Sequence, residues 1–202
     1  MTHPDRIRRA LLIVPLSFAL SSVLCLSWLF EPVFADEEAS NWPYVQSAEY
    51  GRCYLRAVPA ENYGTAGKTE VFAVHATGDQ RIASFAWYSP QTWIHCNVSN
   101  GTTATGLSLV RLGPWARGRS ANAQDLALAF SFADKEVRRY STLDLAGTPA
   151  NVSASVSHYT VISKVLGYRW INSNTYVFEV LLHDGRKLVF DPTTGAQTQD
   201  AN

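Results

Sequence analysis

Short apolar runs recur from residue 53 to residue 195, each closed by Gly, Pro, Asn or Asp, and none keeps the helical period for long. Their β-branched and aromatic content fits a pleated sheet. The clearest pair is Val177–Leu182 and Lys187–Phe190, joined by His183-Asp184-Gly185-Arg186 and followed by Asp191-Pro192-Thr193-Thr194-Gly195. Asp-Gly is a strong hairpin signal, and the Pro and Gly that follow preset a turn. The same reading predicts strands at Cys53–Val58, Val71–Ala76, Arg81–Tyr88, Trp93–Val98, Gly106–Leu112, Leu126–Phe132, Val137–Leu143, Tyr159–Lys164 and Tyr168–Ile171. Ser99-Asn100-Gly101-Thr102 and Asp144-Leu145-Ala146-Gly147 read as turns, Trp115–Ser120 as a loop, and Gln197–Asn202 as a polar tail. After Thr148-Pro149, the stretch Ala150–Ser157 is the one short helix expected. The fold class is therefore all-β, an antiparallel hairpin meander.

Three hairpins, at about 70–88, 125–147 and 175–195, align on Asp79, Asp134 and Asp184. Each aspartate is followed at the same offset by an aromatic residue, Phe85, Tyr140 or Phe190. An interval of roughly fifty residues is that of propeller blades. The segment "LVFDPTTG" resembles the outer strand and turn of β-propeller blades of the WD40, YVTN and quinoprotein type. "SAEYGRCYLRAV" and "VSNGTTATGLSLVRL" resemble the passage between blades. The resemblance implies blade-like sheets and an open, partial propeller, because the chain is too short for a complete ring of ordinary size. It lacks the Trp-Asp dipeptide and the tryptophan-docking pattern of those families. A sandwich or barrel built from the same meander is the alternative.

The N-terminus changes the picture of where this domain works. Arg6, Arg8 and Arg9 precede an apolar run from Ala10 to Phe30, and Val33-Phe34-Ala35 offers a cleavage junction before Asp36. Residues 1–35 are expected to be a secretory signal peptide and residues 36–202 a single exported domain, periplasmic or extracellular. Left uncleaved, the same run is long enough to anchor the chain in a membrane. Arg8-Arg9 also resembles a twin-arginine signal, although Ile7 stands where that signal has a polar residue. Beyond the signal only Cys53 and Cys96 remain, and an oxidising compartment predicts one disulfide between them. Asp36–Asn41 reads as a frayed start.

Net charge is zero and charged residues make up 17% of the chain, so no electrostatic footprint for nucleic acid is present. No motif for a cofactor or metal stands out. His75, His95, His158 and His183 show no ligand spacing, and His95 beside Cys96 points to the opposite face of its strand. Ser157-His158 is adjacent in sequence and no Gly-x-Ser-x-Gly elbow exists, which argues against a serine hydrolase. The expected binding surface is the loop presenting Trp115, Arg117 and Arg119, with Trp93 and Tyr159 nearby, because Trp, Tyr and Arg dominate binding hot spots. The expectation is a non-enzymatic envelope or extracellular protein that binds a glycan, peptide or protein ligand, with self-association through free sheet edges. A secreted hydrolase with a carboxylate or histidine site is the alternative.

Overall fold

The computed structural model describes residues 38–96 and 106–199, which belong to one compact unit. The expected signal peptide with its cleavage junction and the expected Ser99–Thr102 turn lie outside the described residues. The fold is all-β, with three four-stranded antiparallel sheets and one small three-stranded sheet.

The first sheet runs β1 (Tyr44–Ser47), β2 (Cys53–Pro59), β3 (Gly67–Ala73) and β4 (Gln80–Phe85), each strand hydrogen-bonded to the next. The second contains β5 (Thr92–Cys96), β6 (Leu107–Leu112), β8 (Leu126–Phe132) and β9 (Lys135–Ser141), again in that order. The two-residue strand β7 (Ala116–Arg117) leaves this meander between β6 and β8. The third sheet is β12 (Ile162–Asn172), β13 (Thr175–Leu182), β14 (Lys187–Phe190) and β15 (Gln197–Thr198). The last strand of the first sheet leads directly into the first strand of the second. The helix α1 (Thr142–Ala146) and strands β10 (Ser153–Ala154) and β11 (His158–Thr160) bridge the second sheet to the third.

Alternation along the strands explains the packing. In β6, Leu107 and Leu109 join Cys53, Leu55, Val71 and Ile94 in one apolar cluster. Their neighbour Val110 joins Leu128, Phe130, Phe178, Val180 and Phe190 in the other. The second sheet is thus covered on both faces, which is why β6 and β8 are buried along nearly their whole length, Ser108, Arg111 and Ser131 included. Burying Phe130, Phe178 and Phe190 completely supplies about 1.5–3 kcal/mol of favourable transfer free energy each. Cys53 and Cys96 form a disulfide between the first two sheets.

The predicted hairpins all form, but not at equivalent places. β3–β4 and β8–β9 are the last two strands of their sheets, whereas β13–β14 are the middle two, because Gln197–Thr198 adds a strand where a tail was expected. The Asp191 turn docks the third sheet on the second. Gly195 has φ of 68°, and a Cβ there would stand 2.5 Å from the Cβ of Arg138 and 3.2 Å from that of Phe130. The Tyr140 hydroxyl donates to the Gly195 carbonyl at 2.7 Å. Only glycine fits both the dihedral and the close approach.

The helix is also displaced from its expected position. It forms at Thr142–Ala146, overlapping the Asp144–Gly147 segment whose residues predict a turn, and not at Ala150–Ser157. Ser141 and Asp144 make a reciprocal capping box, and Gly147 ends the helix with its N–H bonded to Leu143. The Arg186 guanidinium donates to the Leu145 and Ala146 carbonyls at 2.8 and 3.1 Å, completing the C-terminus from the β13–β14 turn. Residues 150–157 instead bend and pair through Ser153–Ala154 with β11. A local pairing with β11, itself held by β7, outweighs the weak start signal at Thr148-Pro149.

Candidate functional site

The small sheet, ordered β10-β11-β7, organises the candidate site. Across β7 and β11, His158 pairs with Arg117 and Tyr159 with Ala116. Alternation sends Ala116 and Tyr159 into the core and leaves Arg117 and His158 together on the opposite face. Trp115, just before β7, lies against the His158 ring, edge to face, with centroids 5.4 Å apart. It remains 47% exposed, so its indole presents an open face.

A cleft of about 520 Å³ opens beside this sheet. Trp115, His158 and Tyr159 line it, together with Ser153, Ser155, Thr160, Ser163 and Lys164 from β10 to β12. The opposite wall is Leu112-Gly113-Pro114 with Leu126 and Ala127. Gly113 is required there, because a Cβ at that position would overlap the backbone carbonyl oxygen of Leu126. A second, shallower hollow adjoins the first through His158 and is bounded by Glu38, Tyr63, Arg117 and Ser157.

Tyr159 is positioned by a polar network at the wall of the cleft. Its hydroxyl donates to Asp125 Oδ2 at 2.7 Å and lies 2.8 Å from Thr142 Oγ1. Asn122 Nδ2 donates to the same aspartate oxygen at 2.7 Å, and Asn122 Oδ1 accepts the backbone N–H groups of Gln124 and Asp125. Thr142 is the first residue of α1, so the capped helix holds the tyrosine in place. Burial pushes the phenol up from its ordinary pKa, and Asp125 adds to this against the opposing bond from Thr142.

His158 is buried with its Nδ1 2.8 Å from Ser157 Oγ. Its Nε2 is buried and lacks a hydrogen-bond partner. Glu38 Oε2 lies 3.8 Å from that nitrogen and 3.4 Å from an Arg117 amino group. The segment carrying Glu38 is fastened at Asn41, whose backbone N–H donates to the Asn62 carbonyl at 2.7 Å and whose side chain reaches the Glu61 and Gly64 carbonyls. The start of the domain, expected to fray, is therefore part of the site from Glu38 onward.

Of the residues expected to bind, Trp115, Tyr159 and Arg117 come together. Trp93 does not: it points toward the third sheet, with its ring 5.9 Å from that of Phe178, and lines neither cavity. Arg119 is exposed and also lines neither. His75 and His183 likewise line neither cavity. The residues missed from sequence are Glu38, Tyr63 and the serines and threonines of β10 to β12. Ordinary polar residues carry no local signal, and Glu38 reaches the site only through tertiary contact. Among the described residues no group of histidine, cysteine and carboxylate side chains is arranged to hold a metal ion.

The chain matches no known family model, no curated protein and no solved structure.

Proposed function

We propose that the protein is an exported, non-enzymatic binding module whose ligand is a glycan held in the Trp115 cleft. The observation that carries this reading is the half-exposed indole at the mouth of a cleft lined by hydroxyl-bearing side chains. The apolar C–H face of a pyranose packs on an aromatic plane, and its hydroxyl groups exchange hydrogen bonds with Ser, Thr and Tyr. The cleft lies within the volume range of small-ligand sites. Tyr159, locked by Asp125 and Thr142, offers a rigid wall, which reduces the ordering cost of binding.

Export is part of the proposal. The disulfide fits an oxidising compartment, and the N-terminal segment has the composition of a secretory signal. Among the described residues no helix is long and apolar enough to cross a membrane. The passage from the last strand of one four-stranded sheet to the first strand of the next supports reading the three sheets as blade-like units, with free edges available for self-association.

The test is isothermal titration of the mature domain with a panel of neutral and acidic oligosaccharides, repeated with Trp115→Ala. Saccharide binding lost in the variant supports the reading. A flat titration across the panel contradicts it.

A second reading rests on one observation, the Ser157 hydroxyl 2.8 Å from His158 Nδ1 with Glu38 beyond the other ring nitrogen. This is a nucleophile–base–carboxylate string, with the two ring nitrogens exchanged relative to the familiar triad. Glu38 stands beyond hydrogen-bond distance and faces Arg117, so the orienting contact is weak. Ester hydrolysis that disappears in Ser157→Ala would favour this reading over a binding module.

A further inference from the structure

The hollow beside the cleft carries a more specific statement about the ligand. His158 is nine-tenths buried, yet its Nε2 has no hydrogen-bond partner. A buried polar group left in this condition is destabilising, and a suitably placed oxygen atom would satisfy it. Nδ1 is engaged by the Ser157 hydroxyl at 2.8 Å, so Nε2 is the ring nitrogen left for a ligand, as donor in the tautomer that accepts from Ser157. Arg117, its cross-strand neighbour, reaches the same space and is largely exposed. The group these two donors now approach is the chain's own carboxylate. Glu38 Oε2 sits 3.4 Å from Arg117 and 3.8 Å from His158, both longer than the 2.7–2.9 Å or so of a charge-assisted hydrogen bond. Glu38 therefore pairs loosely with Arg117 and leaves His158 Nε2 unsatisfied.

We infer that this hollow is a carboxylate subsite, and that the glycan bound in the adjoining cleft is acidic, bearing a uronate-type carboxylate that displaces Glu38 from between Arg117 and His158. The inference rests on the glycan reading of the Trp115 cleft. Trp115 packs on the imidazole of His158, so a sugar stacked on the indole lies next to the hollow, and His158 lines both spaces. Charge decides the class of anion. One guanidinium faces the hollow beside a glutamate, which suits a monoanion, whereas a dianionic phosphate group would meet Glu38 with insufficient opposing charge. Tyr63, 46% exposed at the rim, supplies a further hydroxyl and aromatic edge for the same sugar.

The test compares three probes on the mature domain by calorimetry. They are a tetrasaccharide of alternating glucuronate and N-acetylglucosamine, the neutral tetramer of N-acetylglucosamine, and a short peptide with a free C-terminal carboxylate. The acidic tetrasaccharide should bind about tenfold tighter than the neutral one. Arg117→Ala, at a position whose side chain is largely exposed, should bring the affinity of the acidic probe down to that of the neutral one. Glu38→Gln should tighten the acidic probe several-fold by removing its competitor. Equal affinity for both saccharides, unchanged in E38Q, overturns the subsite and leaves the glycan reading standing. No saccharide binding at all overturns both. Peptide binding as tight as that of the acidic saccharide, and equally sensitive to R117A, overturns the assignment to a sugar carboxylate.

Discussion

Cys53, the first residue of β2, is bonded to Cys96, the last residue of β5, with their Cα atoms 6.4 Å apart. Both lie in the apolar cluster between the first two sheets, so the bond joins sheets that otherwise meet through side-chain packing and contacts such as the Tyr44–Thr92 hydroxyl bond. Its loop spans 43 residues, for which chain entropy alone assigns about 4 kcal/mol. Cys53→Ala/Cys96→Ala should lower the unfolding free energy by roughly that amount, measured by urea denaturation. A double variant as stable as the parent would show that packing suffices.

Tyr159 links β11 to α1 and to the Asn122–Asp125 turn. Tyr159→Phe keeps the ring in the core but leaves Asp125 and Thr142 short of a partner. The expected cost is about 1–3 kcal/mol in stability, with a matching loss of definition in the cleft wall. Amide exchange in residues 122–125 and 142–146 should accelerate more than in β13. Uniform exchange across both regions would contradict a local role for the network.

His95 is packed against the rings of Tyr168, Trp170 and Tyr176, with centroids 5.5, 5.3 and 4.3 Å away. Burial holds its pKa below the ordinary value, partly opposed by the charge of Glu49. The unfolded chain therefore takes up this proton at a higher pH than the folded one. Stability is fully present above the unfolded value, near 6.5, and declines as pH falls through the lower folded value. His95→Phe should flatten this part of the stability–pH curve between about pH 7 and 5. Parallel curves for parent and variant would remove His95 as the cause. The neighbouring Tyr176 is pushed up to about 12 by burial, so it stays protonated throughout this range.

The capping box at α1 behaves in the opposite region of pH. Bonds from the Ser141 backbone and hydroxyl hold the Asp144 carboxyl below its usual range. Its contribution is present above the unfolded value near 3.8 and is lost as pH falls through the folded one. Ser141→Ala should cost about 1 kcal/mol at neutral pH. Thermal melts of Asp144→Asn at pH 7 and pH 3 should approach the parent at the lower value. A constant gap would point to a different origin of the cap's effect.

Much of the strand pattern was legible in the sequence because turn chemistry is local. Leu126–Phe132 and Lys187–Phe190 match observed strands at both ends, and the disulfide followed from counting cysteines. The failures share a physical cause. Trp93 sits on β5, in a sheet buried on both faces, and alternation cannot say which buried face is core and which is a site. The helix was misplaced because Asp and Gly serve both turns and caps, and only the reciprocal bond between Ser141 and Asp144 decides. Glu38 was invisible because its position depends on Asn41 being tied to residues 61–64, a contact without a sequence signature. Trp115, Arg117 and Tyr159 could be read from sequence, whereas Tyr63, Glu38, Lys164 and the serines and threonines had to be seen folded.

The central claim is that Trp115 is the platform of a saccharide site, and its indole N–H resonance reports this most directly. In a titration of residues 36–202 with acidic and neutral oligosaccharides, the Trp115 indole signal and the His158 ring should move saturably. The exposed Trp42 should stay fixed, because it lines neither cavity. An unmoved Trp115, or equal shifts at Trp42 and Trp115, would contradict the account.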